Sequence, residues 1–167
     1  SSANCAIFCG GDVDFVDIDP RTYNLCPDTL ERRLQKAEKL GRLPKIVIPV
    51  HFAGQSCDMP RIWDLAGRYG FQVVEDASHA LGGRYLDSPV GSCRYSDITV
   101  FSFHPLKSIT TGEGGVVVTD RDDLAHKLKS LRNQGRDPDD STRFESYGYS
   151  LRLTELQAAL EMGRRHL

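Results

Sequence analysis

The sequence predicts an α/β fold in which a mostly parallel sheet carries one antiparallel strand. Three apolar runs have the length of buried strands: Lys45–Val50, Phe71–Val74 and Ile98–Phe103. Segments with helical spacing of apolar residues alternate with the first two, which is typical of parallel strands with helices on the sheet faces. The connection from Phe103 to Val116 is short, rich in Thr and Gly, and without a helical stripe. We therefore expect these two strands, if they are neighbours, to run antiparallel.

The first third of the chain combines a strand-like segment with a helix. Val13–Ile18 alternates apolar and acidic residues, and Asp19-Pro20 then turns the chain. Pro27-Asp28 leads into a helix over Thr29–Leu40, and Gly41 is a stop signal. The apolar residues of this helix share one face: Leu30, Leu34 and Ala37.

The second helix is predicted between the apolar runs Lys45–Val50 and Phe71–Val74. Ser56 or Asp58 can cap its first turn, and Gly70 ends its pattern. Its apolar stripe consists of Ile62, Leu65, Ala66 and Tyr69.

Two more helices are predicted in the last third of the chain. The first follows Asp120, with apolar residues at helical spacing: Leu124, Leu128 and Leu131. Asn133–Ser146 is a polar loop. Thr154-Glu155-Leu156-Gln157 then fits a capping box that opens the final helix.

Composition excludes several classes of protein. A length of 167 residues with 40% hydrophobic residues is sufficient for one domain. The net charge of −2, with acids and bases interspersed, indicates neither nucleic acid nor a membrane surface as a partner. The apolar runs are too short to span a membrane, and no secretory leader is visible, so we expect a cytoplasmic protein. The five cysteines are scattered and lack metal-site spacing, which favours reduced thiols over structural zinc.

Lys107 is the strongest candidate for a functional residue. It lies in the loop between Ile98–Phe103 and Val116–Thr119, where a Pro precedes it and a Gly-rich turn follows. Strand ends of this kind are where open α/β sheets bind ligands. A lysine held there can form a Schiff base with a carbonyl, although most lysines are solvated surface residues.

Asp76 supplies an acid at the end of another apolar run. It could cap a helix, or it could be a buried carboxylate that keeps a pyridine ring protonated. Glu75 should then point to the opposite side of the strand. A lysine, an acid and a Gly-rich loop of phosphate size together indicate pyridoxal phosphate, whose protein partners are a Schiff-base lysine and an acid at the pyridinium nitrogen.

Further residues could complete such a site. His79 could lie over or beside the cofactor ring if the chain turns after Asp76. Ser102 should face opposite to its neighbours Phe101 and Phe103, and a buried hydroxyl needs a partner such as a phosphate. The glycines within 112–115 permit close backbone approach, or they simply form a turn.

The motifs at these residues resemble those of the DegT/DnrJ/EryC1/StrS sugar aminotransferases, and the resemblance covers essentially the whole chain. Its segments include Glu75–Ala80, Asp97–Lys107, Thr111–Gly115, Val16–Pro20, Pro49–Gly54 and Gly148–Ala159. The family comprises fold-type-I pyridoxal phosphate enzymes that aminate nucleotide-linked keto sugars, usually with glutamate as amino donor. Within it, Asn4-Cys5-Ala6, His51–Pro60 and Ser78-His79-Ala80 are most similar to the branch that makes UDP-4-amino-4,6-dideoxy-N-acetyl-β-L-altrosamine for pseudaminic acid.

The resemblance implies a role for each site residue. By motif position, Lys107 matches the lysine that bonds to the cofactor, and Asp76 matches the acid at the pyridine nitrogen. His79 takes the place of a residue that contacts the ring and its hydroxyl, and Ser102 that of the serine that binds the phosphate. Ser150 stands where the family usually has an Asn that reaches the phosphate of the neighbouring subunit's cofactor. The resemblance therefore also implies a homodimer.

The sequence at both ends of the chain indicates a fragment of a longer protein. It opens at Ser1-Ser2-Ala3-Asn4 without a Met and closes at Glu161–Leu167 within a predicted helix. Compared with the family, it lacks an upstream Gly-Thr phosphate loop, a ring-stacking aromatic residue and a C-terminal domain. We therefore expect residues 1–167 to be part of the large, cofactor-binding domain and to be inactive alone. The Gln134–Ser146 loop is shorter than in the pseudaminic acid branch, which weakens that substrate assignment.

Other interpretations stay open at this stage. A family member could act on a different keto sugar, including at its third carbon. A keto-sugar dehydratase would carry His in place of Lys107. A Schiff-base lyase without pyridoxal phosphate would require neither Asp76 nor Ser102. A regulatory or assembly role predicts loss of the lysine or the acid, and the sequence retains both.

Overall fold

The computed structural model describes residues 2–164. The helices are α1 (Ser2–Phe8), α2 (Pro27–Lys39), α3 (Met59–Tyr69), α4 (Asp122–Arg132) and α5 (Glu155–Arg164). The strands are β1 (Ile46–Val47), β2 (Gln72–Asp76), β3 (Arg84–Tyr85), β4 (Ser88–Pro89), β5 (Ile98–Ser102) and β6 (Gly115–Val118), and a short 3-10 helix covers Phe52–Gly54. Of the predicted terminal helix, the last three residues lie outside the described part of the chain.

The main sheet has the strand order β1-β2-β5-β6. Strands β1, β2 and β5 are parallel, whereas β6 runs antiparallel to β5, with Ser102 opposite Gly115. The prediction of a mostly parallel sheet with one antiparallel strand is therefore confirmed. The short loop that carries Lys107 leaves no room for a crossover helix, which explains the reversal. Strands β3 and β4 form a separate antiparallel pair.

Helices α2 and α3 pack on one face of β1 and β2. Their buried residues form one cluster with those of the strands: Leu30, Leu34, Met59, Ile62, Leu65, Ala66, Val47 and Val73. Of the two predicted caps for α3, Asp58 is the one used, since its carboxylate accepts the Arg61 N–H. Gly70 ends α3 with a left-handed backbone (φ 75°), as its glycine predicts.

Several segments differ from the sequence-based expectation. Val13–Ile18 is not a strand, because only Ile18 finds a partner, in an isolated bridge to Leu25. Strand β1 is shorter than its apolar run, because Pro49 lacks an N–H and interrupts the ladder before Val50 pairs with Asp76. Helix α1, which begins at Ser2, was not predicted.

The C-terminal helix begins at the predicted capping box. The Gln157 N–H donates to Thr154 Oγ1 at 3.2 Å, and the Thr154 N–H donates to Gln157 Oε1 at 2.9 Å. Gln157 Nε2 also donates to the Glu113 carbonyl at 2.7 Å, which fastens α5 to the glycine-rich loop. The predicted polar loop before α5 contains no helix or strand, but it makes two isolated bridges, Arg136 with Phe144 and Asn133 with Ser150.

Two general properties of the described chain complete the fold. The five cysteines are free thiols, and Cys57 is the buried one. Within residues 2–164, none of the helices combines the length and hydropathy of a membrane-crossing segment.

Candidate active site

Asp76 and Ser102 lie on the same face of the sheet, opposite to the helices α2 and α3. Asp76 is in register with Val100 on the neighbouring parallel strand, and Ser102 is two residues further along β5. Because side chains alternate along a strand, both polar groups share one face, and strand geometry places their Cα atoms about 8 Å apart. Phe101 and Phe103 are buried, whereas Ser102 is only partly buried, as the alternation predicts.

The carboxylate of Asp76 is held by two donors. Ser2 Oγ donates to Oδ2 at 2.5 Å, and the Ser78 N–H donates to Oδ1 at 3.2 Å. Burial raises the pKa of Asp76, but these hydrogen bonds and the nearby His79 outweigh it and hold the pKa below its ordinary value. Asp76 is therefore an anion at neutral pH. Turns rather than a helix follow it at residues 77–83, so it does not cap a helix.

Ser102 and Lys107 both offer unused hydrogen-bonding capacity. Ser102 Oγ accepts the His104 N–H at 3.3 Å, and within residues 2–164 its own hydroxyl donates to nothing. Lys107 is partly buried, and its amine has no hydrogen bond or ion pair among the described residues. The loop that carries Lys107 is closed at its base, where the Phe103 N–H donates to the Gly114 carbonyl at 2.8 Å. The lysine is therefore presented beside the end of β5.

Two glycines of this loop are required by close contacts. A Cβ on Gly115 would lie 2.7 Å from the Phe101 carbonyl oxygen. A Cβ on Gly114, which has φ 152°, would lie 2.7 Å from Thr111 Oγ1. The glycine-rich segment is therefore a tightly packed element next to Ser102, in addition to being a turn.

His79 lies near the acid but is exposed to solvent. Its ring meets that of Phe52 edge-on, with the centroids 6.4 Å apart and the planes at 63°. Its charge contributes to the lowered pKa of Asp76. His79 can therefore contact a ligand that is bound to Asp76.

Ser150 does not contact Asp76, Ser102 or Lys107. It is exposed, and it pairs with Asn133 in an isolated antiparallel bridge beyond the end of α4. Within residues 2–164, no hydrogen bond joins it to Asp76, Ser102 or Lys107.

Comparison with known proteins identifies the family. The model of the DegT/DnrJ/EryC1/StrS aminotransferase family matches residues 1–167. The chain belongs to this family.

Curated relatives carry names that refer to amino sugars. The chain is 41% identical over 164 residues to GDP-perosamine synthase of Caulobacter vibrioides, covering 98% of this chain and 42% of that protein. It is 40% identical over 164 residues to the UDP-4-amino-4,6-dideoxy-N-acetyl-β-L-altrosamine transaminase of Campylobacter jejuni, covering 96% and 42%. The chain thus spans less than half the length of these relatives.

Solved structures agree in fold. PseC of Helicobacter pylori, an aminotransferase involved in the biosynthesis of pseudaminic acid, superposes with a TM-score of 0.86 at 31% identity, over 99% of this chain and 43% of PseC. NtdA of Bacillus subtilis, solved with bound cofactor PMP, gives a TM-score of 0.79 at 29% identity, over 96% and 35%. These matches show a fold shared with aminotransferases of the family.

The residues present fit pyridoxal phosphate. Asp76 offers an anion for a protonated ring nitrogen, and Ser102 offers a hydroxyl hydrogen for a phosphate. Lys107 offers an amine that is not engaged elsewhere in the described chain. Gly115, which has no side chain, lies opposite Ser102 on the neighbouring strand. This set matches the groups that a protein contributes to this cofactor.

A buried hydrogen-bonded network behind the site was missed by the sequence analysis. Glu75 points away from Asp76, as predicted, and its carboxylate accepts from His51 Nε2 at 2.7 Å, Thr99 Oγ1 at 3.0 Å and Ser96 Oγ. Burial raises the pKa of Glu75, but these donors lower it below its ordinary value. The alternation that placed Glu75 on the inner face was a usable signal, since a buried carboxylate needs partners.

A second titratable cluster lies on the outer surface. His126 of α4 bonds Glu145 at 3.2 Å, and Asp137 offers a further oxygen within 4.8 Å of both groups. The hydrogen bond to Glu145 raises the pKa of His126 above its ordinary value. An ion pair that holds the polar loop against α4 accounts for this arrangement.

Proposed function

We propose that the protein containing this chain uses pyridoxal phosphate to transfer an amino group to a nucleotide-linked 4-keto-6-deoxy sugar. Glutamate is the proposed amino donor, and cell-surface or capsular sugar biosynthesis in the cytoplasm is the proposed context. The observation that carries this proposal is the common face of the Asp76 anion and the Ser102 hydroxyl, beside the loop of Lys107. Residues 1–167 would form part of the large domain that binds the cofactor.

Each residue has a defined task in this proposal. When bound, pyridoxal phosphate withdraws electrons from the carbon that carries the transferred amine. Asp76, ionised and fixed by Ser2 and Ser78, keeps the ring nitrogen protonated. Ser102 donates its free hydroxyl hydrogen to the phosphate. Lys107 would hold the cofactor through its amine, and the same amine, when free, would move a proton as a base.

The names of the relatives favour a sugar substrate, but they differ in the nucleotide to which the sugar is linked. One relative is named for a GDP-linked amino sugar and another for a UDP-linked one, at nearly equal identity of 41% and 40%. Lys107 argues against the keto-sugar dehydratase alternative, in which His takes its place. We further propose a homodimer, because Ser150 is exposed, has no hydrogen bond to Asp76, Ser102 or Lys107 within residues 2–164, and is available to a neighbouring subunit.

The covalent link to Lys107 gives the most direct test. The full-length protein is loaded with pyridoxal phosphate, reduced with borohydride and digested for mass spectrometry. We expect the reduced cofactor adduct on Lys107, and we expect Lys107→Ala to bind the cofactor only weakly and without a reducible link. Lys129→Ala, which changes an exposed lysine of α4, is the matched control. An adduct on another lysine would overturn the assignment.

Substrate class is tested separately with the same full-length protein. UDP-linked and GDP-linked 4-keto-6-deoxy sugars are incubated with glutamate, and formation of the amino sugar and of 2-oxoglutarate is measured. We expect amination of one nucleotide class, dependent on glutamate and abolished by Lys107→Ala. Absence of amination with both classes would reject the proposed substrate.

A further inference from the structure

His51 is a completely buried residue whose ring tautomer is fixed by its neighbours. The Cys57 N–H donates to His51 Nδ1 at 3.2 Å, so Nδ1 carries no hydrogen. The hydrogen therefore lies on Nε2, which donates to Glu75 Oε2 at 2.7 Å. The ring thus connects the 51–57 segment to β2.

The carboxylate of Glu75 depends on this ring. Glu75 is only 6% exposed, and its three side-chain donors are His51, Ser96 and Thr99. A buried anion that loses a donor becomes strongly destabilised, so the carboxylate and the ring hold each other in place.

The main chain of His51 holds the next residue, Asp76. The His51 N–H donates to the Asp76 carbonyl at 3.0 Å, and the Asp76 N–H donates to the Pro49 carbonyl at 2.9 Å. His51 therefore donates a hydrogen bond to Glu75 from its ring and another to Asp76 from its backbone. Both backbone polar groups of Asp76 are thus bonded to the 49–51 segment, and this fixes the direction in which the Asp76 carboxylate leaves the strand.

The segment that follows His51 contacts the other candidate ring partner. The Gly54 N–H donates to the His51 carbonyl at 3.2 Å, which closes the 3-10 turn. Phe52 meets the His79 ring edge-on, and a Cβ on Gly54 would lie 3.0 Å from the His79 carbonyl oxygen. The 52–54 turn, which packs on His79, is therefore also held in place by a hydrogen bond to His51.

We infer that His51 is a positioning residue that sets Asp76 and His79 jointly against the ring of the cofactor. This inference rests on the proposed function. According to this inference, His51 controls the interaction between Asp76 and the ring nitrogen, although His51 itself is completely buried. A purely structural His51 would support the fold without affecting that interaction selectively.

The test compares pyridoxal phosphate with its analogue that has CH in place of the ring nitrogen. The ratio of the two dissociation constants, measured on the full-length protein, reports the contact with Asp76 and not the overall quality of the site. His51→Asn keeps an acceptor for Cys57 but cannot reach Glu75, and His51→Gln keeps the donor to Glu75 but loses the acceptor. Thr99→Val is the matched control, because it removes another donor from Glu75 without touching Asp76 or the 52–54 turn.

The expected results separate positioning from folding. Each His51 variant should reduce the preference for the cofactor over the analogue at least fivefold, and either variant alone is sufficient if the other does not fold. Thr99→Val should lower the melting temperature but change the preference less than twofold. An unchanged preference in the His51 variants, or an equal loss in Thr99→Val, would overturn the inference while leaving the proposed function intact. A wild-type protein that binds neither molecule would overturn both.

Discussion

Replacing Asp76 by Asn removes a charge from the candidate site while keeping its shape. The amide oxygen can still accept the Ser78 N–H, now 3.2 Å from Oδ1. The Ser2 hydroxyl, now 2.5 Å from Oδ2, can rotate and accept a hydrogen from the new amide nitrogen. Both contacts of the folded chain survive, so we expect the free energy of unfolding to change by less than about 1 kcal/mol.

The effect on the cofactor should be much larger. A hydrogen bond that involves a charged group contributes about 1.5–3 kcal/mol, which corresponds to roughly 10–150-fold in a dissociation constant. Pyridoxal phosphate should therefore bind about 10–150-fold more weakly to Asp76→Asn. Without the anion, the ring nitrogen loses its proton and becomes a poor electron acceptor, so kcat should fall by orders of magnitude.

The assay compares melting temperature, affinity for the cofactor and kcat in the full-length protein. Asp64→Asn is the matched control, since Asp64 is an exposed acid of α3, which packs on the opposite face of the sheet from Asp76. A decrease in kcat of less than about tenfold, or roughly 1.4 kcal/mol of barrier, would show that Asp76 is not the partner of the ring nitrogen. A melting temperature that falls in parallel with kcat would assign Asp76 a structural role instead.

Two further predictions follow from Ser102 and Glu75. Ser102→Ala should weaken binding of pyridoxal phosphate by about 10–100-fold, because a charge-assisted hydrogen bond to the phosphate is lost. The affinity for pyridoxal, which lacks the phosphate, should stay unchanged. An equal loss of affinity for both molecules would show that the phosphate binds elsewhere. Glu75 has a folded-state pKa below its ordinary value of 4.5, so its contribution to stability is present above pH 4.5 and is lost as pH falls through the folded-state pKa. The melting temperature, measured from pH 7 downward, should therefore fall more steeply below pH 4.5 in the wild type than in Glu75→Gln. Parallel curves of melting temperature against pH would contradict this prediction.

Local signals in the sequence determined most of the helices and the antiparallel direction of β6. The capping box at Thr154 and Gln157, the Asp58 cap and the Gly70 stop each act within one turn of backbone, so their residues suffice to predict them. The antiparallel return after β5 followed from the length of a single loop. The common face of Asp76 and Ser102 likewise follows from strand alternation once the two strands are known to be neighbours.

Contacts between distant segments were decided only by the tertiary structure. Ser2 donates to Asp76 from 74 positions away, and His51 reaches Glu75 across 24 positions. Val13–Ile18 has the alternation of a strand, yet it stays unpaired except at Ile18, because a strand needs a neighbour as well as a pattern. A sequence specifies which groups must be satisfied when buried, but the donor that satisfies each one is chosen by how the chain brings remote segments together.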